Sequence, residues 1–256
     1  MQVLVIGDVI GSPGRIALKR LLPGLRNEYK LDMVIVNAEN SSGGIGVTPD
    51  TAQELLDMHV DVLTSGNHIW NHREIIPYLD GEMPIIRPLN YPAGVPGKGY
   101  FITKGVMVVN LIGRVFFQMD YDCPFRAMDR LLAETPDKPP VVIIDFHAEA
   151  TSEKIALGRY LDGRVTAVMG THTHVGTIDT QISTKGTAYV TDIGMTGPVD
   201  SVIGNEPGTV LYRFLNQIPQ HLAVGKGKVL LNGIVLGIDT KTGRATAINR
   251  IQREAD

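Results

Sequence analysis

Residues 169 to 177 read MGTHTHVGT, so two histidines, His172 and His174, sit one residue apart directly after the apolar run VTAVMG. In an extended segment positions i and i+2 face the same side, which would present two imidazoles to one point, as a metal ion requires. A lone pair of histidines also occurs as an ordinary solvated feature, so the rest of the chain has to decide. It offers further residues of the same kind. Asp8 follows VLVIG, Glu39 and Asn40 follow MVIVNA, Asn67 and His68 follow VDVLTSG, and His147 follows VVIIDF. An Asp or Asn at such a place is readily explained as a turn residue or helix cap. Histidine at three separate places is not. The three histidines outside this set, His59, His72 and His221, read as surface or packing residues.

Two carboxylates, two carboxamides and four imidazoles are too many for one tetrahedral zinc, which takes about four ligands. A binuclear site with a bridging carboxylate can use seven of them. The chain has a single cysteine, Cys123, so no thiolate cluster is available and any metal must live on nitrogen and oxygen. Such a set suits iron, manganese or zinc, whereas calcium would not take three imidazoles. The glycine-rich stretch SSGGIG at 41 to 46, just past Glu39 and Asn40, could let backbone N–H groups approach an anion, or could be a plain turn.

The elements that must position these residues are short apolar runs alternating with helix-period segments. VLVIG is followed by a helix over about Pro13 to Tyr29, MVIVNA by a helix after Thr48, and VDVLTSG by helical Arg73 to Leu79. Ser12 with Pro13 makes a start for the first helix, while Pro23 inside it implies a kink or an early end. Next come FITKGVMVVNLI, a helix around Phe125 to Glu134, PVVIIDF, a helix around Ser152 to Leu161, and VTAVMG. Alternation of this kind predicts a βαβ series, and in an open α/β sheet ligands bind outside the carboxyl ends of the strands. From residue 186 onward the pattern changes. GTAYVTDIG, a helix near Thr209 to Asn216, and the runs VLLNGIVLGID and TAINRIQ joined by a DTKTG turn predict a second sheet with antiparallel strands.

Charge is nearly balanced, at 24 basic against 27 acidic residues among 256, with no Lys/Arg block. This disfavours long nucleic acid and anionic membrane as partners, though a small anionic ligand needs only a local positive site. No apolar run is long enough to span a bilayer, and MQVLVIGD lacks the basic region of a signal peptide. A cytoplasmic protein of one domain, residues 1 to 256, is expected, and a homo-oligomer is left open.

The stretches GDVIGSPGR, NAENSSGGIG, GNHIWNH, DFHAEATSEK, GTHTHVGT and DIGMTGP together resemble the YmdB-like family of calcineurin-type metallophosphoesterases, through nearly the whole chain. Three positions depart from the wider superfamily: Ile10 where a histidine would follow the first aspartate, Glu39 with Asn40 in place of a GD aspartate, and Ile69 after GNH. Those departures are the pattern of the YmdB-like branch.

The resemblance implies a four-layer α/β/β/α sandwich with mixed sheets and a two-metal phosphodiesterase acting on cyclic nucleotides. Carried over by position, one metal would take Asp8, Glu39, Asn40 and His174. The other would take Glu39, Asn67, His147 and His172, with Glu39 bridging and His68 left free for proton transfer. Iron and manganese are the metals it points to, and 2′,3′-cyclic nucleotides are the favoured substrate over 3′,5′-cyclic ones. The chemistry agrees with the inventory. Two cations hold the phosphoryl oxygens and lower the pKa of a bridging water, which attacks phosphorus in line with the departing oxygen. A diester carries one negative charge, so a dense arginine cluster is not needed. MTGPVDSVIG at 195 to 204 is a candidate specificity loop, or a plain surface connection. Two rivals keep the metals: a regulatory protein that binds a nucleotide without turnover, and an amidohydrolase, whose usual (β/α)₈ barrel the hairpin-rich C-terminal third argues against.

Overall fold

A computed structural model describes residues 1–255. Along the chain the first half supplies β1 (Gln2–Ile6), α1 (Gly11–Tyr29), β2 (Met33–Asn37), α2 (Pro49–Asp57), β3 (Val62–Thr64), a 3₁₀ turn (Arg73–Ile75) running into α3 (Ile76–Leu79), β4 (Tyr100–Thr103) and β5 (Val106–Ile112). The second half supplies α4 (Pro124–Glu134), β6 (Val141–His147), α5 (Thr151–Tyr160), β7 (Ala167–Thr171), β8 (Gln181–Ile182), β9 (Ala188–Val190), β10 (Gly197–Pro198), α6 (Pro207–Asn216), β11 (Val229–Asp239) and β12 (Arg244–Ala255).

These strands form two six-stranded sheets, one ordered β10-β11-β1-β2-β3 with β12 on β11, the other β4-β5-β6-β7-β9-β8. Strand periodicity shows how they stack. Val3, Val5, Met33 and Ile35 share one apolar cluster with Val106, Val108, Val141, Ile143, Ala167 and Met169, so the two sheets face each other. The alternate residues turn outward. Leu4, Ile6, Val34 and Val36 pack with Leu18, Leu22 and Leu25 of α1 and Leu55 of α2. On the other side Met107, Val109, Val142, Ile144 and Val168 pack with Met128 and Leu131 of α4 and Leu157 of α5. Two apolar faces per sheet require two coverings, and the result is the four-layer α/β/β/α sandwich with mixed sheets.

Two expectations are corrected. The βαβ series is not one sheet, because β1, β2 and β3 run parallel in the first sheet while β5, β6 and β7 run parallel in the second. Nor does the C-terminal third make a sheet of its own. The β11–β12 pair joins the first sheet, with β11 antiparallel to β1, and β9 joins the second, parallel to β7. The apolar face of β11, including Ile234 and Leu236, completes the layer between the sheets. Helix α1 begins at Gly11, with Ile10 at the cap position, so Ser12 caps nothing. It continues through Pro23, whose exposed position lets the helix lose one N–H while Leu22 and Leu25 stay buried. Helix α2 starts as its sequence predicts, with Thr48 and Thr51 exchanging side-chain and backbone hydrogen bonds.

Candidate functional site

Parallel strands β1, β2 and β3 of one sheet and β6 and β7 of the other end at the same edge of the sandwich, and all eight singled-out residues meet there. Asp8, Glu39, Asn40 and His147 are buried, while Asn67, His68, His172 and His174 are half-buried. The sheets are stapled beneath them. Asp145, two residues before His147 on β6, accepts hydrogen bonds from Asn37 Nδ2 at 2.9 Å and from Thr64, both from the opposite sheet, and from Thr171 Oγ1 at 2.6 Å. Burial pushes the Asp145 carboxyl up to about 7, against these hydrogen bonds.

The side-chain contacts sort the residues into two groups. His174 Nε2 lies 3.1 Å from Asn40 Nδ2 and 3.7 Å from Asp8 Oδ1. His147 Nε2 lies 3.1 Å from Asn67 Oδ1, 3.0 Å from His172 Nδ1 and 3.3 Å from Glu39 Oε1. Glu39 Oε1 also accepts the His68 backbone N–H at 2.8 Å, and Asp8 Oδ2 accepts the His172 N–H at 3.2 Å.

The proton count here is informative. Where Asp145 is ionised, above about 7, the Thr171 hydroxyl gives its proton to Asp145, so its oxygen accepts from His147 Nδ1 at 3.0 Å and the proton of neutral His147 sits on Nδ1. Nε2 is then a bare lone pair. His172 gives its Nε2 proton to Glu149 at 2.9 Å, so its Nδ1 is bare as well, and His174 gives its Nδ1 proton to the Ile203 carbonyl at 2.8 Å. Burial holds His147 neutral, its pKa lowered to about 3, and lowers His172 to about 2. The 3.9 Å approach of His147 to Asp8 is therefore not an ion pair. Burial also raises Asp8 and raises Glu39 to about 7. Asp8 Oδ1 and Glu39 Oε2 are buried with no hydrogen-bond partner. Carboxylate oxygens, the Asn67 carbonyl and two bare ring nitrogens thus face one another, and burial without a counter-charge is what pushes Asp8 and Glu39 toward their protonated forms, a cost that cations held by the same atoms would remove.

As these side chains stand, no three His, Cys, Asp or Glu among the described residues are arranged to hold an ion, because the donor atoms are turned on one another. The room between them depends on Gly66. A Cβ there would lie 1.9 Å from Glu39 Oε2 and 2.4 Å from His147 Nε2.

The two histidines of MGTHTH reach the site differently from the extended pair expected. Strand β7 stops at Thr171, and His172 and His174 adopt φ of 97° and 65°, in the left-handed region. That turn is held by a buried pair the sequence did not single out. Lys154 Nζ lies 2.7 Å from both Asp192 Oδ2 and the Thr171 carbonyl, and Asp192 also accepts from Thr173 N at 3.1 Å and Thr173 Oγ1 at 2.8 Å. Phe117 lies against His172, ring centroids 4.9 Å apart. Asp145, Thr171, Lys154, Asp192 and Glu149 were all missed. An acidic residue inside the apolar run VVIIDF was the one signal available.

Above these residues opens a cleft of about 770 Å³, lined by Glu39, Asn40, His68, His172 and His174. Gly43 and Gly44, with φ of 60° and 92°, bring the glycine-rich turn to its wall. His68 is held by Asn71 Oδ1 at 3.3 Å from Nδ1 and Asn67 Nδ2 at 3.2 Å from Nε2. Ile203, in the 195 to 204 segment, lines the cleft as well as binding His174. Of the three histidines set aside, His59 is exposed, His72 bonds the Ile45 carbonyl at 3.0 Å, and His221 lies on the cleft wall. No helix among the described residues is long and apolar enough to cross a membrane.

The chain is similar to proteins of known sequence and structure over its whole length. It is 46% identical over 255 residues to a Bacillus subtilis protein named 2′,3′-cyclic-nucleotide 2′-phosphodiesterase, covering 98% of this chain and 96% of that one. A crystal structure of a hypothetical protein from Thermus thermophilus superposes with a TM-score of 0.93 at 44% identity, covering 100% of both chains. A structure described as a novel phosphatase, from Mycoplasma pneumoniae, also gives 0.93, at 34% identity over 99% of this chain and 93% of that one. With the family model described as YmdB-like protein matching residues 4–251, this chain belongs to the YmdB-like family.

Proposed function

We propose that the chain is a two-metal phosphodiesterase that opens cyclic nucleotides, 2′,3′-cyclic nucleoside monophosphates foremost. The observation that carries this reading is the acceptor-rich cluster: Asp8 Oδ1 and Glu39 Oε2, buried and unpartnered, beside two bare imidazole nitrogens. The printed activity of the Bacillus subtilis relative supports the substrate. One ion would be held by Asp8, Glu39, Asn40 and His174, the other by Glu39, Asn67, His147 and His172. Iron or manganese is the proposed pair, with zinc compatible with the same donors. When bound, such ions supply charge neutralisation at the phosphoryl oxygens and a water acidic enough to attack at neutral pH.

The chain's own residues do the rest. Glu39 touches His147 of the second group through Oε1, and its Oε2, buried and unpartnered, would be the oxygen left to serve the first ion. The Asp145–Thr171–His147 relay and the Glu149–His172 contact set which ring nitrogen faces inward, the part that outer residues commonly play around a metal. His68 lines the cleft with its ring steadied by two asparagines and is the proton donor. As water adds to phosphorus and gives up one proton, the P–O2′ bond breaks, O2′ takes a proton from His68, the proton released by the water restores His68, and a nucleoside 3′-monophosphate leaves. A cytoplasmic setting belongs to the same proposal, supported by the lone Cys123.

The test combines metal analysis with a substrate pair that differs in its need for a proton. A ribose alkoxide is a poor leaving group, whereas a nitrophenolate departs unprotonated. His68→Ala should slow 2′,3′-cyclic AMP hydrolysis by ~10² to 10⁴ and bis(p-nitrophenyl) phosphate hydrolysis far less, at unchanged metal content. Equal fractional losses would remove His68 from the acid role. A fully metallated wild type without turnover of either substrate would favour nucleotide sensing instead.

A further inference from the structure

The cleft does not end at the proposed metal ligands. Behind its wall a second hollow of about 440 Å³ lies between α6 and the 202–205 turn, and it shares Ile203, Asn205, Arg213 and Leu222 with the cleft. Ile203 joins the two directly, since its carbonyl orients His174 while its side chain lines both. The hollow is walled by Val210, Phe214 and Leu222. Phe214 is 70% exposed, so its ring is open to a ligand from the side of the hollow.

Its polar groups are few and available. The Asn205 carboxamide has no hydrogen-bond partner among the described residues, although its backbone is fixed by bridges to Val202 and Val224. Gln217 spends its Nε2 on the Phe214 carbonyl at 2.9 Å, which leaves its Oε1 as an acceptor. Arg213, at the junction of the two hollows, has no carboxylate partner among the described residues. The wall itself is rigidly seated: Glu206 caps α6 through Gly208 N and Thr209 N, both at 2.7 Å.

We propose that this hollow is the nucleobase subsite of the cleft, taking the base of a nucleotide whose phosphate lies at the strand ends. The inference rests on the phosphodiesterase reading for the phosphate and goes beyond it for the rest of the ligand. Phe214 stacks on the base, Asn205 and Gln217 Oε1 meet its edge, and Arg213 faces the anionic side. An aliphatic wall with one aromatic face and two amides suits a planar heterocycle with donors and acceptors on its rim. An alkyl group would leave both amides unused. The residues lie in the 195–222 region, so the 195–204 segment supplies only one edge of the subsite and α6 the rest.

The experiment compares two substrates that differ only in the base: 2′,3′-cyclic AMP and the 2′,3′-cyclic phosphate of methyl riboside. On manganese-loaded wild type the ratio of their kcat/KM values should favour the nucleotide, and Phe214→Ala should lower that ratio about tenfold, through KM. An unchanged ratio overturns the proposal. Calorimetry with adenosine 3′-monophosphate and methyl riboside 3-phosphate reads the same subsite without turnover. The wild type should bind the nucleotide about tenfold tighter, and Phe214→Ala should erase the difference. If wild type hydrolyses neither cyclic phosphate, the phosphodiesterase reading fails. The calorimetric difference then decides the subsite alone, and equal affinities for the two ligands overturn it.

Discussion

Gly66→Ala tests whether the space between Glu39 and His147 is what the site is built around. The added Cβ would sit 1.9 Å from Glu39 Oε2, 2.3 Å from His147 Cδ2 and 2.4 Å from His147 Nε2, where ordinary contact begins at 3.4 Å. The carboxylate oxygen must therefore retreat by about 1.5 Å and the imidazole by about 1 Å, while such constellations tolerate about 0.5 Å. Neither side chain can yield easily, since Glu39 is tied to the His68 N–H and His147 to Thr171. The stability cost is that of modest overpacking, ~1 to 3 kcal/mol, so the variant should fold and melt somewhat lower than wild type. Metal retention is where the damage should appear. After loading with manganese and gel filtration, the variant should hold well under one metal per chain, and its kcat/KM for bis(p-nitrophenyl) phosphate should fall by at least ~10². Gly24→Ala is the control, because a Cβ there meets nothing within 4 Å. In the exposed interior of α1 it should stabilise by ~0.5 to 1 kcal/mol with full metal content. A Gly66→Ala protein with wild-type metal and turnover would refute the reasoning.

Thr171→Val keeps the shape of the side chain but removes the oxygen that accepts the His147 Nδ1 proton. Metal affinity should drop ~10- to 100-fold in a manganese titration, and an unaltered affinity would show that the relay does not govern His147. Lys154→Met leaves Asp192 buried without its cation and frees the Thr171 carbonyl. Urea unfolding should show a loss of ~3 to 5 kcal/mol, accompanied by weaker metal binding as the His172–His174 turn loosens. Destabilisation with intact metal affinity would separate that turn from the ion pair. In metal-depleted protein, folded Asp145 keeps its proton up to about 7 against an ordinary value of 3.8. The unfolded chain releases it earlier, so this group's contribution to stability shrinks as pH rises from about 4 to about 7. Asp145→Asn cannot titrate, and its stability relative to wild type should improve across that window in urea titrations. A constant difference would contradict the assignment.

The residues at the strand exits were legible because each is a local event. An apolar run long enough for one strand stops, and a group that can bind a ligand follows, as with Asp8 after VLVIG or His147 after VVIIDF. The Thr48 cap of α2 and the turn between β11 and β12 were legible for the same reason, since both are decided within a few residues. Partner choice was not. Strands β1, β2, β5 and β6 are buried almost throughout, so their sequences show no alternation to tell the face that meets helices from the face that meets the other sheet. Only packing assigned Leu4 to the helical side and Val3 to the layer between sheets, and only packing set β11, from the far end of the chain, beside β1. The site divides in the same way. Sequence supplied the donor types at the strand exits, because chemistry follows from residue type. Tertiary structure decided which nitrogen of His147 and His172 is bare, why His172 and His174 converge from left-handed backbone, and what clamps them. Asp145 meets Asn37 across 108 residues of chain and Lys154 meets the Thr171 carbonyl across 17, and no local pattern encodes such a meeting.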